Sequence, residues 1–88
     1  MDNISDIIKK IMLRTESLLP DIAVNWVTFV GEDAAQETEP LYLKNGRLTV
    51  KCSSSVWVQE MLFGKKKTIE AINAYFKQDV VKDISLRQ

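Results

Sequence analysis

The dipeptide Asn45-Gly46 constrains the fold of this chain more than any other feature of its sequence. It separates two runs in which apolar and polar residues alternate, LYLK before it and RLTVKC after it. Asn-Gly is the preferred pair for a type I′ turn, because both central residues of that turn need a positive φ and its twist matches that of two antiparallel strands. The sequence therefore predicts a β-hairpin over residues 41–52.

A two-residue turn also fixes the register of this hairpin. The predicted cross-strand pairs are Lys44 with Arg47, Leu43 with Leu48, Tyr42 with Thr49 and Leu41 with Val50. Opposed residues share a face of a sheet. One face is then apolar, with Leu41, Leu43, Leu48, Val50 and Cys52 pointing inward. The other face is polar, with Tyr42, Lys44, Arg47, Thr49 and Lys51 pointing outward.

Helical periodicity precedes the hairpin. A first stripe consists of Ile4, Ile7, Ile8, Ile11 and Leu18, and we expect Pro20 to end that helix. Asp21 is a candidate cap for a second helix, whose apolar stripe is Ile22, Trp26, Phe29 and Val30. Residues 32–39 are predicted to form a turn or a loop, and Pro40 marks the boundary with the hairpin.

Two more helices and a strand follow the hairpin. Residues 53–55 are all serine, a good N-cap residue for a helix that carries Trp57, Val58, Met61 and Leu62. Gly64 interrupts it, and the next helix has the stripe Ile69, Ile72 and Phe76. A last strand points Ile84 and Leu86 inward. The predicted order is α-α-β-β-α-α-β, an α+β fold in one domain over residues 1–88, with a three-stranded sheet packed against helices.

The composition argues against most kinds of catalytic site. There is no histidine and one cysteine, so Ser-His and Cys-His pairs, zinc clusters and internal disulfides are not expected. We predict a protein that is not an enzyme and has no cofactor, metal or small-molecule substrate. The sequence has no positively charged leader and no apolar run near the roughly 20 residues that span a bilayer. We therefore expect a cytoplasmic protein without a membrane partner.

The charges are divided unequally along the chain, although Lys+Arg and Asp+Glu both number 12. Residues 1–40 contain three bases, Lys9, Lys10 and Arg14, against eight acids, whereas residues 41–88 contain nine bases against four acids, Glu60, Glu70, Asp79 and Asp83. Such a division suggests one face for an anionic partner. Attraction between the two halves within the fold is an equally good explanation.

Several side chains are candidates for binding. Lys65, Lys66 and Lys67 would lie in the first turn of a helix, where the helix dipole opposes cations, and Lys44 would lie opposite the like charge of Arg47. Together with Lys51 they would form a basic surface for an anion, although a solvated helix start is the alternative for the three lysines. Tyr42 lies on the same hairpin face and is a candidate for stacking on a base.

The two tryptophans and the cysteine are candidates for core positions. Trp57 is either part of the core or a partly exposed anchor for a protein partner, since tryptophan is favoured at interaction hot spots. Trp26 belongs to a regular helical stripe and is predicted to be core. Cys52 is predicted to be a small buried strand residue.

The order of hairpin, two helices with a tight basic turn, and third strand resembles a KH-type nucleic-acid-binding domain. That module clamps the backbone of a single strand with a GXXG loop between its helices. The corresponding segment here is Gly64-Lys65-Lys66-Lys67, which keeps the first glycine and has Lys67 in place of the second.

A longer segment resembles the DciA family, bacterial proteins that act on the DnaB-type replicative helicase. The string WVTFVGEDAAQETEPLYLKNGRLTVKCSSSVWVQEML carries the resemblance, which extends over about residues 22–87. The matching positions are Trp26, Val30, Gly31, Ala35, Thr38, Pro40, Gly46, Leu48, Val50, Ser54, Trp57, Gln59, Glu60 and Asn73. It implies a KH-like fold, helicase recruitment or loading, and some affinity for DNA. We predict a KH-like binding module that contacts the replicative helicase and, through the basic surface, single-stranded or junction DNA. The alternatives are an RNA-binding KH-like protein and an adaptor that binds only protein.

Overall fold

The computed structural model describes residues 15–88, and the predicted first helix with its isoleucines at 4, 7, 8 and 11 lies outside them. The described chain begins with a 3-10 turn at Thr15–Leu18, followed by three short helices. These are α1 (Leu19–Val24), α2 (Trp26–Val30) and α3 (Glu32–Glu37). Strands β1 (Thr38–Lys44) and β2 (Arg47–Cys52), helices α4 (Ser55–Phe63) and α5 (Lys65–Phe76), and strand β3 (Asp83–Arg87) complete it.

The three strands form one sheet in the order β1-β2-β3, and the predicted α+β class is confirmed. Strand β2 is central: it pairs antiparallel with β1 and parallel with β3. The parallel pair needs a crossover, which α4 and α5 supply between β2 and β3. Among residues 15–88, the helices cover one face of the sheet and no helix or strand covers the other.

The hairpin turn is confirmed at the residues that the sequence predicts. Asn45 has φ 52° and Gly46 has φ 80°, and Lys44 lies opposite Arg47, Leu43 opposite Leu48 and Tyr42 opposite Thr49. The prediction for Leu41 was wrong. The register shifts between Pro40 and Tyr42, so that Pro40 lies opposite Val50 and Leu41 is the extra residue of a β-bulge. Leu41 is consequently only half-buried.

The prediction for Thr49 was wrong in part. Thr49 does lie on the outer face of the sheet, opposite Tyr42, but it is buried because strands flank β2 on both sides. The hairpin pattern predicts only the strand on one side of Thr49. The third strand, β3, pairs with β2 on the other side and buries the threonine.

The segment before the hairpin differs from its prediction at both prolines. Pro20 lies in the first turn of α1 and so begins a helix, which its fixed φ and missing N–H permit. Residues 32–37 are helical, so the predicted loop is α3. Strand β1 then begins at Thr38 and includes Pro40, because β1 is an edge strand and proline is tolerated there.

Trp26 is buried in the core, as predicted, and its indole connects three elements. Its Nε1 donates to Thr38 Oγ1 at 3.0 Å, and the same hydroxyl donates to the carbonyl oxygen of Ala34 at 2.7 Å. The chain of two hydrogen bonds satisfies a buried indole N–H and joins α2, α3 and the start of β1.

The core lies between the sheet and the helices. It consists of Ile22, Trp26, Phe29, Ala34, Leu43, Leu48, Val50, Cys52, Met61, Ile72, Val80, Val81 and Ile84. The inward prediction is therefore confirmed for Leu43, Leu48, Val50, Cys52 and Ile84, and Leu86 packs against the same core while partly buried. At its rim, Tyr75 makes edge contacts with Phe29 and Phe76, with ring centroids 5.5 Å and 5.0 Å apart.

Asn73 holds the connection from α5 to β3 against the core. Its Oδ1 accepts from the backbone N–H groups of Val80 and Val81, and its Nδ2 donates to the Val81 carbonyl, each at 2.9 Å. One side chain thus meets three backbone groups of a segment whose two valines are buried. Within residues 15–88, no helix combines the length and apolarity needed to cross a bilayer.

Candidate functional site

The open side of the sheet, here called the outer sheet face, carries residues from all three strands. Strand β1 contributes Glu39, Tyr42 and Lys44, strand β2 contributes Arg47, Thr49 and Lys51, and strand β3 contributes Asp83, Ser85 and Arg87. A shallow depression of about 490 Å³ lies on this face, and its walls are Tyr42, Lys44, Asn45, Arg47, Thr49 and Ser85. The structure thus brings four of the predicted site residues together: Tyr42, Lys44, Arg47 and Lys51.

The cations of this face form two groups at opposite ends of β2. Lys44 lies opposite Arg47 at the hairpin turn, and Lys51 lies beside Arg87 at the far end. Arg47 and Lys51 are four residues apart, roughly 13 Å at the rise of a strand. The floor between the two groups is neutral, with Thr49 buried and Tyr42 48% exposed. An anionic chain with flat groups between its charges fits such a surface.

Two carboxylates reduce the positive charge of the outer sheet face. Glu39 lies opposite Lys51, and Asp83 lies beside Arg47 in the register of β2 and β3. The Asp83 carboxylate is 3.8 Å from Arg47 Nε and 3.2 Å from Lys65 Nζ. The hydrogen bond from Lys65 holds the pKa of Asp83 below its ordinary value, and the N–H of Ile84 acts in the same direction. Asp83 is therefore a stable anion that two cations share.

The three lysines of α5 do not lie together. All three are in the first turn of the helix, and no glycine-rich loop separates α4 from α5, since Gly64 alone stands between them. Gly64 has φ −92°, a conformation open to any residue. Residues two apart on a helix point about 200° apart. Accordingly, Lys65 reaches Asp83 at the edge of the outer sheet face, whereas Lys67 lines a groove on the helical side.

That groove, of about 260 Å³, lies between α2, α3, α4 and α5. Its lining consists of Trp57, Phe29, Val30, Ala34, Glu60, Met61, Gly64, Lys67 and Thr68. Trp57 is half-buried and packs against the core, so it is neither fully core nor free. Its backbone N–H donates to the Ser54 hydroxyl at 3.4 Å, which confirms Ser54 as the N-cap of α4. Trp57 can thus contribute to the core and to an interface.

Sequence reasoning missed Arg87 and Asp83 as members of the candidate site. Both belong to the predicted last strand, but the pattern of a strand does not tell which other strand it joins. The parallel pairing of β3 with β2 places Arg87 beside Lys51 and Asp83 beside Arg47. Cys52 is buried as predicted, and burial raises the pKa of its thiol, so it adds no reactive group. The described residues contain no cluster of three potential metal-binding side chains.

Comparison with known families decides what this architecture belongs to. The family model described as Dna[CI] antecedent, DciA, matches residues 3–86. The chain belongs to the DciA family. A UPF0232 protein of Rhodococcus jostii is 33% identical over 61 residues, which is 69% of this chain and 32% of that protein. The chain thus corresponds to about a third of that relative's length. The resemblance predicted from the sequence is confirmed.

Membership of the DciA family supports a helicase-associated role in general. Most of the positions that carried the resemblance have structural roles in this fold. Trp26 and Thr38 share a hydrogen bond, Gly46 forms the turn, Ser54 caps α4 and Asn73 holds the segment before β3. The family pattern therefore specifies mainly the scaffold, and the surface properties have to be argued from this chain's own residues.

Proposed function

We propose that this chain is a non-catalytic binding domain that assists a DnaB-type replicative helicase and contacts single-stranded or junction DNA through its outer sheet face. The observation that carries the DNA part is the placement of two cationic pairs, Lys44 with Arg47 and Lys51 with Arg87, on either side of the half-exposed ring of Tyr42. Phosphates are bound by cations, and aromatic rings accept bases of any sequence.

The open shape of the face supports a single strand better than a buried ligand. The depression is shallow, and an ordinary small-molecule site would be a deeper, mostly apolar pocket. Bases of a single strand are free to stack, and each stacking contact with an aromatic side chain is worth about 1–3 kcal/mol. Tyr42 lies between the two cationic groups. A base stacked on its ring would therefore place the phosphates on either side of that base near the two groups.

The helicase part rests on membership of the DciA family and on the groove beside Trp57. We propose Trp57 as the anchor of that protein contact, because it is a half-buried tryptophan in an apolar groove with Glu60 and Lys67 at its rim. Such an arrangement offers a partner both a hydrophobic socket and flanking charges of both signs. The two contacts lie on different sides of the domain, so one molecule can hold both partners.

The DNA contact is tested by fluorescence anisotropy with a labelled single-stranded oligonucleotide at several salt concentrations. We compare Lys44→Gln/Lys51→Gln, which removes two charges from the outer sheet face, with Lys66→Gln/Lys67→Gln, which removes two charges from α5. At about 0.7 per phosphate contact, the first change is expected to flatten the plot of log affinity against log salt by about 1.4, and the second by much less. All sequences should be weakened alike.

Three other results would point elsewhere. Equal flattening by the two double variants would remove the outer sheet face as the binding surface. A stronger affinity for RNA than for DNA of the same sequence would favour the RNA-binding alternative. No binding to either at low salt, together with binding to the purified helicase, would leave the protein-only adaptor.

A further inference from the structure

The two edges of the sheet are protected to different degrees. Edge strand β1 contains three features that discourage pairing with another strand: Pro40, the bulge at Leu41 and the exposed Lys44. Helical elements contact both edge strands, the 3-10 turn and α1 on β1, and α4 and α5 on β3, so the difference lies in the strands themselves. Edge strand β3, of five residues, contains no proline, lysine or bulge, and the described residues place no strand on its other side.

The direction of the backbone groups on β3 follows from one hydrogen bond. The N–H of Asp83 donates to the carbonyl oxygen of Gly46 at 3.2 Å, toward β2. Backbone groups alternate in direction along a strand, so Asp83, Ser85 and Arg87 face β2. The N–H and C=O groups of Ile84 and Leu86 consequently point away from the sheet, at the unprotected edge.

We propose that β3 pairs antiparallel with β3 of a second copy of this chain, about a two-fold axis at Ser85. This register is complementary to itself. Asp83 would lie opposite Arg87 of the second copy, so that opposite charges meet, and Ile84 would lie opposite Leu86, so that apolar side chains meet. The pairs of Ile84 with Leu86 exchange hydrogen bonds, because these two residues carry the outward groups. Leu86, now partly exposed, becomes further buried.

The pairing would extend the sheet to six strands and place both outer sheet faces on the same side. This follows because a two-fold axis perpendicular to a sheet does not exchange its faces. Two features make this dimer weak. Five residues from each copy bury less surface than the roughly 1,200 Å² of a standard interface. In addition, the N–H of Ile84 must give up its contact with the Asp83 carboxylate. The dimer therefore forms only at high local concentration, as on one DNA strand or one helicase ring.

Disulfide trapping tests this register at a single position. Ser85 lies opposite itself in a pair without hydrogen bonds, with Cα atoms about 4.5 Å apart, within the range that a disulfide spans. Ser85→Cys is expected to form a covalent dimer under mild oxidation. The control is Lys44→Cys, an exposed cysteine on the protected edge. The natural Cys52 is buried and gives little background.

A second substitution and a direct measurement complete the test. Adding Arg87→Glu to Ser85→Cys places like charges opposite each other and is expected to lower the yield of covalent dimer several-fold. Light scattering of the unsubstituted chain should show an average mass that rises with protein concentration. The rise should be smaller for Leu86→Pro, because proline removes an outward N–H. Equal yields of covalent dimer from Ser85→Cys and Lys44→Cys would overturn the proposal. A yield that Arg87→Glu leaves unchanged would also overturn it. Either result would be expected if β3 pairs with a segment of another protein instead of a second copy.

Discussion

Lys65 Nζ lies 3.2 Å from the Asp83 carboxylate, which ties the first residue of α5 to the first residue of β3. Arg47 approaches the other carboxylate oxygen from β2 at 3.8 Å. An anion of the protein itself thus lies between two cations that would otherwise be available to a phosphate. The three residues come from three separate elements, so the arrangement depends on the complete fold.

We predict that Asp83→Asn strengthens binding of a single-stranded oligonucleotide. The change frees Arg47 and Lys65 from a competing carboxylate, so the slope of log affinity against log salt should steepen by about one contact, roughly 0.7. Anisotropy titrations at several salt concentrations measure both quantities. Asp79→Asn, an exposed acid outside the sheet, is the matched control. The same gain for both variants would mean that net charge alone is responsible.

The stability of the domain should depend on Asp83 at acid pH. Its pKa is lowered in the folded state, so its contribution to stability is present above the unfolded pKa, near 4, and is lost as pH falls through the folded pKa. Asp83→Asn is therefore expected to unfold more easily than the unsubstituted chain at neutral pH, with a difference that shrinks as pH falls below about 4 and through the lowered pKa of Asp83. Urea denaturation from pH 2 to pH 7 measures this difference, and a gap as large at pH 2 as at pH 7 would contradict it.

Gly46→Val should destabilise the fold by about 1–3 kcal/mol, the usual range for a strained backbone residue. The reason is twofold: Gly46 has φ 80°, and an added Cβ would lie 3.1 Å from Lys82 Cδ. Thermal or urea denaturation measures the loss. The control is Gly64→Ala, because φ is −92° there and an added Cβ would approach no closer than 3.7 Å. We expect no loss from this control, and a loss of similar size in both would refute the turn-specific explanation.

Asn73→Ala should lower the free energy of unfolding by roughly 2–4 kcal/mol, because it leaves three backbone groups of a buried segment without a partner. Asn73→Asp keeps the acceptor for the N–H groups of Val80 and Val81 but loses the donor to Val81. Its loss should therefore be smaller than that of alanine. Urea denaturation at neutral pH compares the stability losses of Asn73→Ala and Asn73→Asp. A larger loss for Asn73→Asp would show that the amide oxygen is not the main contributor to stability.

Trp57→Ala should weaken binding to a purified DnaB-type helicase while the domain stays folded. Its cost in stability should be below that of Trp26→Ala, about 3–5 kcal/mol for a fully buried aromatic, since Trp57 is only half-buried. Anisotropy with labelled domain measures helicase binding, and calorimetric unfolding measures the cost in stability. Trp57→Phe, which keeps most of the packing, separates the two roles. A folded Trp57→Ala variant that binds the helicase normally would remove Trp57 as the anchor.

Local sequence signals predicted the elements that depend on local chemistry. Asn45-Gly46 determined the turn and the first three cross-strand pairs, because positive φ at two consecutive positions is rarely tolerated by other residues. The helical stripe of Ile22, Trp26 and Phe29 predicted three buried residues, although α1 and α2 divide it at Asn25. The serine cap of α4 and the break at Gly64 were predicted for the same local reasons.

Only the tertiary structure decided how these elements meet. The bulge at Leu41 and the inclusion of Pro40 in β1 follow from the position of β1 at the edge of a sheet. The parallel pairing of β3 with β2 brings Asp83 to Arg47 and Arg87 to Lys51, across about 36 residues of chain. The rotation of the α5 helix separates Lys65 from Lys67. Turn and cap chemistry acts between neighbours in sequence, whereas pairing across a crossover depends on how the whole core packs, so the sequence alone determined the parts and the fold determined the site.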